Sequence, residues 1–304
     1  YIQVENTRVF VHRNTIEDNV CNGGFGGGVL CWNGSLELVG NEIAGNVGAD
    51  SGGGVFVLFS GDTPHHLEAN EIRDNVANDD GGGLWFANGG AILLVNNLIT
   101  GNAAPSGAGL YARGTGTLLK CTITGNLASS EGGGLYYDEG GGDLSIANSI
   151  VRGNLAPSSP ELFYTGGAQS ISFSNIGGGW PGFGNLDADP RFVDANAGDY
   201  RLAGDSPCID AGDNGVVPFE IETDLAGEAR FVDDPNTPDT GSGAPPVVDL
   251  GAYEFQGDAV GCPADLDGDG VVGAGDLAIC LGQWGQTSGK TGPPLADLDG
   301  DGVV

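Results

Sequence analysis

The chain has 304 residues, 58 of them Gly and none Met, and its 10 basic and 41 acidic residues give a formal net charge of -31. Such a charge repels phosphate backbones and anionic bilayers, so no nucleic-acid partner is expected, whereas divalent cations are attracted. No apolar run reaches the roughly 18 residues of a membrane-spanning helix, so no transmembrane segment is expected. Tyr1 enters strand-like sequence without a charged leader, so the chain is expected to be a mature or trimmed form.

From the N-terminus, a glycine run feeds an apolar or aromatic pair five times: Gly26-Gly27-Gly28-Val29-Leu30, Gly52-Gly53-Gly54-Val55-Phe56, Gly81-Gly82-Gly83-Leu84-Trp85, Gly107-Ala108-Gly109-Leu110-Tyr111 and Gly132-Gly133-Gly134-Leu135-Tyr136. The runs start 26, 29, 26 and 25 residues apart. Between them recurs an Asn-x-Ile-x-x-Asn box, Asn14 to Asn19, Asn41 to Asn46, Asn70 to Asn75 and Asn97 to Asn102, with Cys121 to Asn126 and Ser149 to Asn154 as variants. Two motifs on one short period mean one structural unit stacked many times. Its pieces read as short strands punctuated by Gly, Asn, Asp and Ser, without helical spacing. The expected fold is therefore all-β, a right-handed parallel β-helix whose coil holds three short strands and three corners, stacked about 4.8 Å apart.

Stacking puts equivalent residues in columns. Ile16, Ile43, Ile72, Ile99, Ile123 and Val151 should form an inward aliphatic stack, since one coil cannot bury its own apolar face. Asn19, Asn46, Asn75, Asn102, Asn126 and Asn154 should form an asparagine ladder at a corner, each amide donating to the next and satisfying corner backbone. The glycines supply positive φ or close backbone approach at another corner. They are not a phosphate cradle, because no helix or Lys-Ser/Thr follows them.

If Val29, Val55, Leu84, Leu110 and Leu135 point inward, strand alternation sends Leu30, Phe56, Trp85, Tyr111 and Tyr136 outward. Phe56, Trp85, Tyr111 and Tyr136 are then candidates for a glycan-stacking or adhesive stripe; the alternatives are a swapped orientation or a covering loop. Candidates for catalysis are thin. Arg113 and Asp138 share an outward column and read as a surface ion pair; His65 and His66 fall with Asp62 in an insertion read as an exposed loop, a metal site being the alternative. Cys21 is expected to pair with Cys31 and Cys262 with Cys280, buried free thiols being the alternative, and both the pairing and the cysteine count suit an oxidising compartment.

From Asn185 the texture changes to Asn185-Leu186-Asp187-Ala188-Asp189-Pro190-Arg191-Phe192-Val193-Asp194, Gly198-Asp199-Tyr200-Arg201-Leu202, Ser206-Pro207-Cys208-Ile209-Asp210-Ala211-Gly212 and Val248-Asp249-Leu250-Gly251-Ala252-Tyr253-Glu254. This succession resembles the C-terminal part of bacterial secreted parallel β-helix proteins of the choice-of-anchor Q type, in which the last coils precede a variable anchoring module. The resemblance implies an extracellular or cell-surface protein. Physically, the segment could cap the open last coil, with the Pro- and Gly-rich stretch from Asp233 to Pro246 as a loop inside that cap. The expected domains are residues 1-184, the repeat array; 185-257, the last coils and cap; and 258-304, a calcium module.

In that module Asp265, Asp267, Asp269 and Asp276 fall at positions 1, 3, 5 and 12 of an EF-hand-like loop, with Gly270 at 6 and the Val271 carbonyl at 7. Four carboxylates this close need a cation, so Ca2+ is the expected cofactor. Asp276 followed by Leu277-Ala278-Ile279-Cys280-Leu281 resembles a dockerin repeat, which implies a small α-helical module. A second loop begins 32 residues later with Asp297, Asp299, Asp301 and the Val303 carbonyl, and stops at Val304 before its last ligands. Either the polypeptide continues or a neighbouring molecule completes the site. Ala274 and Gly275 depart from the Ser-Thr pair of cohesin-binding dockerins, which puts a cohesin-type partner in doubt. Taken together, these features point to an extracellular calcium-binding β-solenoid acting as a structural, adhesive, matrix- or filament-forming surface, with polysaccharide contact and self-association, end to end or through calcium, as its expected partnerships. The Gly-Gly-aliphatic-aromatic motif is also similar to repeats of bacterial β-helix adhesins. The alternative is a polysaccharide lyase or glycoside hydrolase on the same fold.

Overall fold

The computed structural model describes residues 2–5, 8–58, 64–87, 90–138, 142–257 and 277–279. Tyr1–Phe255 form one compact unit and Gln256–Val304 a second. In the coils of the first, up to Ile176, successive strands do not pair with each other but with strands a full coil away, always in parallel. Leu84–Ala87, for example, lies between Val55–Leu58 and Leu110–Arg113. Three seven-stranded sheets and one five-stranded sheet result, wound as a right-handed solenoid.

The first five coils thus carry four strands rather than the three expected, and the last two carry three. In one of the five the strands are Leu84–Ala87, Ile92–Val95, Leu98–Thr100 and Ala103–Ser106. The extra corner comes from the residue before the second asparagine of each box, which adopts a left-handed conformation: φ is 53° at Asp18, 64° at Gly45, 55° at Asp74 and 67° at Gly101. Asp and Gly tolerate that conformation where most side chains do not. Residues before the first position of the box, such as Ala69 (φ 51°) before Asn70 and Lys120 (φ 56°) before Cys121, make the same turn one corner earlier.

Register is strict. Ile16, Ile43, Ile72, Ile99, Ile123 and Val151 are successive partners on the third sheet, and all are buried. The asparagine ladder runs as expected at the next corner. Asn46 Nδ2 donates to Asn75 Oδ1 at 2.9 Å and Asn75 Nδ2 to Asn102 Oδ1 at 3.0 Å, while each amide also reaches a strand carbonyl, Ile16 O at 2.8 Å and Ile43 O at 2.8 Å. Glu161 ends it by accepting from Asn154 Nδ2 at 2.7 Å. A second ladder through Asn14, Asn41, Asn70 and Asn97 stands one corner away. At the glycine corner, Gly81 supplies a φ of 67° and Gly82 supplies clearance: a Cβ there would lie 2.5 Å from the Ala103 carbonyl oxygen of the next coil.

Two expectations for local structure are corrected. His65 and His66 belong to the strand His65–Glu68, not to an exposed loop. His65 points into the core edge-on to Phe86, with 5.6 Å between ring centroids, because alternation within the strand His65–Glu68 turns His65 and Leu67 inward; Asp62 lies outside the described residues. Cys21 and Cys31 are both free thiols. Cys31 is an inward residue of the first sheet, fully buried, whereas Cys21 sits on the fourth sheet and donates to Gly23 O at 3.4 Å.

After the last coil, Leu186 bridges to Asn175 and Asn185 Oδ1 accepts from Ser174 N, which continues the wall by a partial rung. The chain then forms a small antiparallel pair, Phe192–Asp194 with Asp199–Leu202, and doubles back along the flank instead of staying at the end. Thr100 Oγ1 donates to Tyr200 Oη at 2.9 Å, Asn96 Nδ2 to Thr223 O at 3.0 Å, and Gly251 N to Asn148 O at 2.8 Å. Leu202, Cys208, Ile209, Leu250 and Phe255 pack there with Ile150 and Phe173 as a second core.

Candidate functional site

Strand alternation in the first sheet buries Val29, Val55, Leu84, Leu110 and Leu135 completely and sends the next residue outward. In register, Phe56, Trp85, Tyr111 and Tyr136 then stand directly above one another. Their rings stack nearly parallel at 4.4 Å (Phe56 to Trp85), 5.9 Å (Trp85 to Tyr111) and 4.8 Å (Tyr111 to Tyr136). The rung spacing of a parallel sheet is close to the contact distance of aromatic faces, so the backbone repeat sets up the ring stack. Two rings not singled out in the sequence extend it: Phe163 on Tyr136 at 4.6 Å, and Phe25 on Phe56 at 4.4 Å. Phe163 is the strand partner of Tyr136, so its register was available from the period; Phe25 comes from the glycine corner because Leu30 occupies the strand position below Phe56.

This geometry alters what the stripe can do. Each inner ring has its faces covered by its neighbours, and Phe56 and Tyr111 are only 1% and 8% exposed. A sugar ring therefore cannot lie flat on them. What remains outward is a ridge made by the half-buried rings of Phe25, Trp85, Tyr136 and Phe163, with Phe56 and Tyr111 covered between them.

Polar groups gather beside the ridge. Tyr111 Oη donates to Asp138 Oδ2 at 3.2 Å, and Arg113 Nε stands 2.9 Å from the same oxygen, an ion pair without the alignment of a hydrogen bond. Asp80, half-buried and hydrogen-bonded to Ser106, faces the same group; burial, then the charge of Asp79, pushes its carboxyl up to about 6, with Asp138 adding to the effect. Burial also raises the Tyr111 hydroxyl well above the ordinary phenol range. Asp80 was not foreseen, because only the turn of two coils brings it near Asp138.

A second charged cluster lies sealed under the returning segment. Lys120 and Arg230 are both 0% exposed. Lys120 Nζ donates to Asp249 O at 2.5 Å and stands 3.6 Å from Glu254 Oε2; Arg230 donates to Asn96 Oδ1 at 2.6 Å and stands 3.3 Å from Glu254 Oε2. Burial pulls the Lys120 ammonium down to about 7, aided by the charge of Arg230, and burial raises Asp249 and Glu254. With no exposed surface, this cluster fastens the segment to the coils rather than meeting substrate. The residues expected to bind calcium, Asp265, Asp267, Asp269, Val271, Asp276, Asp297, Asp299, Asp301 and Val303, with Cys262 and Cys280, lie outside the described residues. No described helix is long and apolar enough to cross a membrane.

Comparisons with known proteins agree with this architecture. Residues 27–176 match the family described as right handed beta helix region. Searches of curated proteins and of solved structures found no match. The matched stretch covers the coils from Asn41 onward, in which the Ile column and both asparagine ladders continue, and the chain is a parallel β-helix protein.

Proposed function

We propose that the protein is an extracellular or cell-surface β-solenoid serving as a structural, adhesive or matrix-forming element, that it contacts polysaccharide along the ring-edge ridge, and that its C-terminal acidic loops bind calcium. The observation that carries this reading is the ring stack from Phe25 to Phe163, in which the half-buried Phe25, Trp85, Tyr136 and Phe163 recur along the coils with the covered Phe56 and Tyr111 between them. A row of partly open rings along the coils suits a linear polymer, because many weak contacts add along its length. Contact through ring edges and flanking hydroxyl and carboxylate groups favours hydroxyl-rich chains over flat stacking ligands.

Affinity electrophoresis against acidic and neutral polysaccharides, with Trp85→Ala and Tyr136→Ala as comparators, tests it. Retardation by at least one polymer, weakened in both variants, supports the proposal; equal mobility in every gel refutes polysaccharide contact.

One observation favours the enzymatic alternative. A carboxyl titrating at about 6 next to a second carboxylate is what a general acid needs near neutral pH. Release of new reducing ends or unsaturated uronate, abolished by Asp80→Asn, would establish turnover; binding without either product leaves the structural reading.

A further inference from the structure

We propose that Asp210, Asp233 and Asp239 hold a hard divalent cation, calcium, which fastens the 233–240 loop onto the returning segment. One carboxylate oxygen from each residue lies within 4.8 Å of the other two. Oxygens that share a calcium ion at about 2.3–2.6 Å can be no farther apart than roughly twice that distance, a condition that all three pairs meet.

The three residues are not equivalent. Asp233 and Asp239 are exposed, but Asp210 is 0% exposed and its Oδ1 has no hydrogen-bond partner. Its other oxygen receives only a long contact from Asp234 N, at 3.4 Å. An ionised carboxylate buried with one oxygen unpartnered is costly, and proteins resolve the cost by pairing, protonation or a metal. Pairing is not what surrounds it: the charged groups that bear on Asp210 are Asp239, Asp233 and Asp234, all acidic. A cation among them reverses the sign of that environment.

Asp234 does not compete for the ion. Its Oδ1 accepts from Asn236 N at 3.1 Å and its Oδ2 from Thr237 Oγ1 at 2.7 Å. Asp210 is held on both sides of its peptide, its N–H donating to Asp249 Oδ1 at 2.8 Å and its carbonyl accepting from Thr240 N at 2.9 Å and Gly241 N at 3.0 Å. The buried ligand is thus fixed, while the two exposed ligands sit on a loop that can adjust and leave room for water. All-oxygen ligands with an adaptable geometry suit calcium better than zinc, which takes nitrogen and sulfur, or magnesium, which demands a regular octahedron. Through Asp249 the site adjoins the buried Lys120 and Glu254, so an ion here would tighten the clasp between segment and coils.

Hydrogen exchange of the full chain in calcium and in chelator tests the proposal. Calcium at ten times its dissociation constant should slow exchange in residues 233–241 by about tenfold. Asp239→Asn should abolish that protection and bind one calcium fewer per chain by equilibrium dialysis. The Asp265→Asn/Asp267→Asn variant should keep the protection, which separates this site from the C-terminal loops. Identical exchange of 233–241 with calcium and with chelator in the unaltered protein, or unchanged stoichiometry in Asp239→Asn, overturns the assignment. Equal protection by magnesium overturns the choice of calcium.

Discussion

Asn75→Ala is the sharpest probe of the ladder. The side chain accepts from Asn46 N at 3.0 Å and Asn46 Nδ2 at 2.9 Å, and donates to Ile43 O at 2.8 Å and Asn102 Oδ1 at 3.0 Å. All four bonds are buried, and alanine leaves the Asn46 N–H and the Ile43 carbonyl without replacement partners. At about 1 kcal/mol net per bond the loss is about 4 kcal/mol, a large fraction of the stability of a typical domain. Asn19→Ala, at the first rung, removes a donation to Asn46 Oδ1 and one to Glu17 O where water has access, and should cost about 1 kcal/mol. Asn75→Asp retains the acceptor but sets two oxygens against each other at the Asn102 contact, so it should be at least as damaging as alanine. Urea unfolding followed by circular dichroism, compared at equal m-values, measures all three. A loss below about 1 kcal/mol in Asn75→Ala, or one equal to that of Asn19→Ala, would refute the idea that the ladder carries the corner.

Other expectations follow from the same geometry. Burial lowers the His65 imidazole to about 4 from 6.5; below pH 6.5 the unfolded chain gains a proton that the folded chain refuses, so stability falls by about 3 kcal/mol as pH drops from 6.5 to 4. The difference between the pH profiles of the unaltered protein and His65→Leu should show that limb, and parallel profiles would exclude it. Gly82→Ala, whose Cβ would meet backbone 2.5 Å away, should prevent soluble folding or cost at least about 3 kcal/mol, while Gly23→Ala, with no atom within 4 Å, should change stability by less than about 0.5 kcal/mol. Among Cys21, Cys31, Cys121 and Cys208, native alkylation mapped by mass spectrometry should label Cys21 first. The other three are buried, their thiols pushed up to about 11 by desolvation, and equal labelling would contradict the placement of Cys31 in the core.

The period of Ile16, Ile43, Ile72 and Ile99 and the recurring asparagines determined the stacked fold, the inward column, the ladder and the outward sense of the Phe56 row before any coordinates. In a solenoid the same interaction is repeated by translation, so a repeated letter is a repeated contact. What escaped the sequence is aperiodic. The fourth strand depends on the left-handed φ of single residues such as Asp74. The burial of His65 depends on how an insertion rejoins the register, and the loss of open ring faces depends on stack geometry, not on composition. The segment after Asn185 returns to meet Asn96, Lys120 and Thr122 across more than a hundred residues of chain, through Thr223, Asp249 and Ala252. The assembly of Asp210 with Asp233 and Asp239 belongs to the same class. No repeat encodes such meetings; they arise only when distant, dissimilar residues converge, and burial then decides which charges are sealed as a clasp and which remain open to a ligand.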